Sequence, residues 1–240
     1  MKLSEPVRAI AFDADDTLWD LQSNFDAVEQ DYCKLLSDFG TSDELSKQLF
    51  HTETANMPIL GYGCKAFTIS LVENALKVSK GTVSPATIGE IVRLGKSLLT
   101  LDVPPLPEVA TTLQLLHDSQ RYQLVVFTKG ELLDQQNKLR RSGLYPLFHH
   151  VSIVSEKDEN AYRELCASLQ LPPSEVVMVG NSFKSDIAPA LSVGCQAVHI
   201  PFHTIWRHED MDDFSHPRLF CIPHFGQLAE LLDITSSSNK

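Results

Sequence analysis

An unbroken apolar run, Val7 to Phe12, stands near the start of the chain with no polar residue after Arg8. A short β-branched and aromatic run of this kind predicts a strand buried on both faces. From Phe25 the period changes. Phe25, Val28, Tyr32, Leu35, Leu36 and Phe39 recur at spacings of three and four, one face of a helix that Gly40 can close. Further helices are predicted over Asp43–Leu49, Ala66–Val78 and Pro85–Leu99, separated by Gly and Pro, with no strand among them. The proline-rich stretch Val103 to Pro107 reads as a stiff connector.

Beyond it, helix and strand alternate. Helix Glu108–His117 precedes strand Gln123–Phe127, helix Leu132–Ser142 precedes strand His149–Val154, helix Asn160–Leu169 precedes strand Val176–Val179, and helix Ile187–Val193 precedes strand Gln196–Ile200. This rhythm predicts an α/β fold: a Rossmann-like, doubly wound parallel sheet with helices on both faces. The first strand has no partner before Gln123, so the helical stretch is an insertion. The expected organisation is a catalytic core of residues 1–20 and 102–240, with a helical cap over 21–101. The polar tail Thr235 to Lys240 is expected to fray.

Composition narrows the function classes. A chain of 240 residues, 43% hydrophobic and 21% charged, is an ordinary globular composition. Its net charge of -11 disfavours nucleic acid and anionic membranes as partners. The five cysteines are scattered without zinc spacing, which predicts reduced, mostly buried thiols. Met1 to Arg8 lacks the apolar core of a secretory signal, and the strand that follows is too short to span a bilayer. A cytoplasmic protein is expected.

The topology also predicts where chemistry sits, because ligands of open α/β sheets bind beyond the carboxyl ends of the strands. Asp13 and Asp15 follow the first strand, Thr128 the second and Lys157 the third; Asn181, Ser182 and Asp186 follow the fourth. Carboxylates crowded together raise one another's pKa unless a cation neutralises them. Mg²⁺ takes one or two carboxylates together with water and substrate phosphate. Asp13 and Asp186 are candidate ligands, with Asn181 as a neutral oxygen donor. Thr128, its neighbour Lys129, and Lys157 are candidates for holding a phosphoryl group. One Asp can then attack phosphorus while its neighbour two residues on handles the proton.

Any one of these residues has an ordinary explanation. A lone Asp after a strand is most often a turn or helix cap, and Asp16 and Asp20 fit that description. Lys157 lies in a charge run with Glu156, Asp158 and Glu159. Independent caps, however, need not land on four successive strand ends. The stretches Asp13-Ala14-Asp15-Asp16-Thr17, Thr128 after its apolar strand, Lys157, and Gly180-Asn181-Ser182-Phe183-Lys184-Ser185-Asp186 together resemble the four motifs of the haloacid dehalogenase-like hydrolase superfamily, in the family's order.

That resemblance implies a phospho-aspartyl mechanism dependent on Mg²⁺. Asp13 would be nucleophile and metal ligand, and Asp15 the acid/base, binding metal through its backbone carbonyl. Thr128 and Lys157 would hold phosphate, and Asp186 would complete the metal site. Dehalogenases usually lack an acid at the position of Asp15, so its presence favours a phosphatase acting on a small phosphorylated metabolite. Asn181 stands where the family often has Asp. The same constellation also accommodates a sugar phosphomutase or a non-catalytic binding protein.

Two other stretches invite rival readings. Gly61-Tyr62-Gly63-Cys64-Lys65-Ala66 satisfies a dinucleotide-binding pattern, but that fingerprint has meaning only after a strand and within a βαβ unit. A loop between cap helices is expected instead, with Lys65 and Tyr62 as candidate specificity residues. Phe202 to His208, aromatic and histidine-rich, can line the entrance to the site or pack against the sheet edge; packing, without zinc binding, is expected.

Overall fold

The computed structural model describes residues 6–234; the expected fraying of Thr235 to Lys240 falls outside them. The described residues divide into two compact units. One comprises the chain up to Gln22, Val103–Lys129 and everything from Gln135 onward; the other comprises Ser23–Asp102 and Gly130–Asp134.

The first unit is built on six parallel strands in the order β3-β2-β1-β4-β5-β6. They are β1 (Ala9–Phe12), β2 (Gln123–Lys129), β3 (His150–Val154), β4 (Val176–Gly180), β5 (Gln196–His199) and β6 (Leu219–Cys221). All four residues of β1 are fully buried, as its uninterrupted apolar run requires. The chain winds from β1 outward through β2 to β3, then returns to lay β4 on the other side of β1. The order therefore reverses between β1 and β4, and a crevice opens there beyond the strand ends. Helices α5 (Val109–Asp118), α6 (Leu132–Arg141), α7 (Glu159–Leu169), α8 (Ala188–Ser192) and α9 (Gln227–Leu231) complete the alternation. On one face, Tyr162, Leu165 and Cys166 of α7 pack with Val125, Phe127, Val176 and Met178.

The helical unit has its own core. Helices α1 (Gln22–Leu35), α2 (Ser42–Leu60), α3 (Cys64–Val78) and α4 (Pro85–Leu98) enclose Tyr32, Leu36, Leu49, Leu71, Ile91 and Leu98. Helix α2 starts in a capping box, with Thr41 and Glu44 satisfying each other's backbone N–H groups. It runs on to Leu60, through Pro58 and well past the expected end at Leu49, and stops at Gly61 with φ 70°. The glycine-rich stretch is a turn between α2 and α3, with no strand before it. No helix among the described residues is long and apolar enough to cross a membrane.

Besides the longer α2, three elements depart from the sequence expectation. β6 and α9 were not expected; the segment leading to β6 is polar and carries little periodicity. In place of a helix starting at Ile187, a single π-helical turn covers Phe183–Ile187 before α8 begins. Such turns displace one residue from the regular helical face, frequently at functional sites.

Candidate active site

Four strand ends bring the chemistry together, and the centre of the cluster is an ammonium. Lys157, on the loop between β3 and α7, donates to Asp13 Oδ1 and, at 2.7 Å, to Asp186 Oδ1. The three side chains are buried: 1% exposed for Lys157 and Asp186, 11% for Asp13. Asp13 leaves β1 and donates its backbone N–H to Val179 O of β4 at 2.9 Å, which places it at the switch point. Asp186 sits in the π-helical turn, where its Oδ2 accepts from the Ser182 N–H at 3.0 Å. A Cβ on Gly180 would overlap the Asp186 carboxylate, so the close approach of this side chain requires glycine there. Tyr162 of α7 donates to the Asp186 carbonyl at 2.9 Å and fixes the turn from below.

The electrostatics of the cluster are lopsided. Burial, with the Asp186 carboxylate nearby, pushes the Asp13 carboxyl up to about 7 despite the Lys157 ammonium. Burial works against the Lys157 ammonium, yet Asp13 and Asp186 outweigh it and raise Lys157 to about 12. Two buried carboxylates thus share one cation. The surplus negative charge and the hard oxygen donors Asp13 and Asp186 suit Mg²⁺, which needs only one or two carboxylates. No group of three or more His, Cys, Asp or Glu side chains able to hold a metal exists among the described residues. Asn181 Oδ1 accepts from Thr17 Oγ1 at 3.1 Å, which ties the loop after β1 to the loop after β4.

Asp15 faces a different set of groups. Its Oδ1 accepts from Trp19 Nε1 at 2.8 Å and Lys138 Nζ at 2.7 Å; its Oδ2 accepts from Gln135 Nε2 at 2.8 Å and Lys138 Nζ at 2.9 Å. Asp16, with φ 61°, accepts the backbone N–H groups of Leu21 and Gln22 at 2.8 and 2.9 Å and so caps the entry to α1. Burial raises the Asp16 carboxyl to about 7. Thr128, at the end of β2, is 2% exposed, and its hydroxyl accepts from Gln135 at 3.3 Å.

Lys129 does not stand open. It donates to Ser185 Oγ at 3.0 Å, is ion-paired with Glu209, and lies 5.4 Å from the Trp206 ring. Glu209 also accepts from the Ser182 and Ser185 hydroxyls, the latter at 2.7 Å. Burial opposes its charge, but Lys129 and the two serines hold its carboxyl below the usual range. Glu209, which directly follows the aromatic stretch 202–208, is thereby held at the ends of β2 and β4. Lys65, in the helical unit, forms an exposed ion pair with Glu131 of that same unit.

The strand-end residues Asp13, Asp15, Thr128, Lys157, Asn181 and Asp186 thus lie in one hydrogen-bonded region. Trp19, Gln135, Lys138 and Glu209 join them without any sequence cue. Polar residues on a helix such as α6 default to solvent, and only tertiary contact buries Gln135 and Lys138.

The chain is similar to known proteins over most of its length. Residues 7–194 match the family described as haloacid dehalogenase-like hydrolase. The glyceraldehyde 3-phosphate phosphatase of Methanopyrus kandleri is 24% identical over 202 residues, covering 81% of this chain and 84% of the relative. The protein of the same name from Methanothermobacter thermautotrophicus is 25% identical over 236 residues, covering 94% and 100%. Among solved structures, a haloacid dehalogenase-like family hydrolase from Xanthomonas campestris superposes with a TM-score of 0.82 at 29% identity, covering 92% of this chain and 90% of that one. L-2-haloacid dehalogenase from Xanthobacter autotrophicus shares the fold, with a TM-score of 0.63 at 17% identity over 94% and 98%. The match over residues 7–194 places this chain in the family: it is a haloacid dehalogenase-like hydrolase.

Proposed function

We propose that the protein is a Mg²⁺-dependent phosphatase that hydrolyses a small phosphorylated metabolite through a phospho-aspartyl intermediate. The observation that carries this reading is the pair of buried carboxylates, Asp13 and Asp186, sharing the Lys157 ammonium at the switch point, with a third carboxylate two residues after the first. Asp13 Oδ attacks phosphorus; its new O–P bond forms as the bond to the leaving oxygen breaks, and Asp15 supplies the proton to that oxygen. Asp15 next takes a proton from water, whose oxygen attacks the same phosphorus. The bond to Asp13 breaks, and inorganic phosphate leaves. Lys157 and the Thr128 hydroxyl hold phosphoryl oxygens and offset their charge. Mg²⁺ would be held by Asp13, Asp186, the Asp15 carbonyl and Asn181, and would supply charge neutralisation and orientation of the phosphoryl group.

The relatives named glyceraldehyde 3-phosphate phosphatases support a small phosphate ester as substrate. The carboxyl side chain of Asp15 favours phosphatase over dehalogenase chemistry, because an ester oxygen gains from a proton that a halide does not need. Residues 21–101 serve as the cap that selects the substrate, with Lys65 among its specificity residues, and the enzyme works in the cytoplasm. Hydrolysis of p-nitrophenyl phosphate with and without Mg²⁺ tests the reading. Turnover that needs both the metal and Asp13 supports it; turnover retained by Asp13→Asn defeats it.

A further inference from the structure

Helix α6 carries three basic residues in its last turn, and they have different fates. Arg140 and Arg141 are exposed, whereas the Lys138 side chain is 2% exposed and aimed inward. Its ammonium bonds both oxygens of Asp15, at 2.7 and 2.9 Å. Gln135 lies one turn earlier on the same face of the helix and donates to Asp15 Oδ2 at 2.8 Å. The orientation of its amide is determined, because Nε2 also donates at 2.8 Å to the Lys129 carbonyl, which can only accept. Trp19 Nε1 completes the arrangement on Oδ1 at 2.8 Å. These partners all present hydrogens, so they define the plane and the tilt of the carboxylate together.

We propose that Lys138, assisted by Gln135, is a positioning residue that sets the orientation of the Asp15 carboxylate for proton transfer at the leaving oxygen. The proposal rests on the reading of Asp15 as the acid/base. A misplacement of about 1 Å in a reacting group costs on the order of 100-fold, so a rigid three-sided cradle matters to rate even though it never touches substrate. A side chain that merely stabilised the fold would depress all substrates alike. A group that orients the acid must matter most where the leaving oxygen is most basic.

The test compares kcat/KM for an alkyl phosphate with kcat/KM for p-nitrophenyl phosphate, whose leaving group departs readily without a proton. The ratio reads only folded, active molecules, so partial misfolding does not imitate the effect. Lys138→Gln and Lys138→Met are expected to lower the alkyl-to-aryl ratio by about tenfold or more, in the direction given by Asp15→Asn. An unchanged ratio in the Lys138 variants, with a fallen ratio in Asp15→Asn, overturns the proposal and leaves the phosphatase reading standing. An unchanged ratio in Asp15→Asn itself overturns the acid/base assignment, and the proposal with it. Should neither Lys138 variant fold, Gln135→Leu removes the second donor to Oδ2 from the same helix. Its ratio must also fall, and an unchanged ratio overturns the cradle.

Discussion

Two lysines, each at a carboxylate of the same short loop, serve opposite purposes. Lys157 is shared between Asp13 and Asp186, so its cluster carries more negative than positive charge. Lys138 takes both oxygens of Asp15, and the charges there cancel. In the first arrangement burial, with the Asp186 carboxylate nearby, holds the Asp13 carboxyl at about 7 despite the shared ammonium. The second leaves nothing to neutralise and fixes a direction instead. Charge imbalance marks where a ligand is expected, and balance marks a residue held in place.

This contrast can be broken most severely at Asp13. Asp13→Asn keeps the shape of the side chain and removes the attacking oxygen anion, and turnover of p-nitrophenyl phosphate should fall by at least about 10³-fold. Removing the cation comes next: with Mg²⁺ chelated, phosphate release should stop and then return on adding Mg²⁺ back, because the surplus negative charge no longer repels the phosphoryl oxygens. Lys157→Met should cost about 3–5 kcal/mol of stability by denaturant unfolding, since it strands two buried carboxylates.

The pH dependence of stability follows from carboxyls that are raised. Asp13 and Asp16 both move from 3.8 to about 7 in the folded protein. Between those values the folded chain keeps protons that the unfolded chain has released, so their contribution to stability is fullest below about pH 4 and is lost as pH rises to about 7. Unfolding of the metal-free protein at pH 5 and pH 8 should show that loss. Asp16→Asn, which retains an oxygen for the Leu21 and Gln22 N–H groups, should remove the Asp16 share of it and leave that of Asp13. The smallest effect is expected at Lys65: Lys65→Ala should reorder a panel of phosphate esters by a few-fold, and an unaltered ranking would remove it from the specificity residues.

Most of the parallel sheet was legible in the sequence because β1, β2 and β4 are buried apolar runs and the connections from β2 to β5 are helices, whereas β6 carried no such signal. The motif residues were legible because the ends of such strands converge, whatever the tertiary detail. Lys138, Gln135 and Glu209 were not. A charged or amide side chain in a polar stretch reads as solvated surface, and its burial is decided by a partner more than 100 residues away, as Asp15 is for Lys138, or by a segment without periodicity, as for Glu209. Lys129 read as a phosphate ligand for the same reason: its pairing with Glu209 depends on a loop whose course local sequence does not dictate. Asp16, which looked like an ordinary cap, is one.

In the proposed mechanism Asp13 carries the phosphoryl group. Asp15→Asn enzyme, which lacks the base for the water step, should be mixed with substrate and Mg²⁺, quenched in acid within one turnover, and its peptides mapped by mass spectrometry. A phosphorylated peptide containing Asp13, lost on treatment with hydroxylamine, is the result expected. Phosphate release with no covalent enzyme species, or a phosphoryl group on any other residue, would contradict the claim.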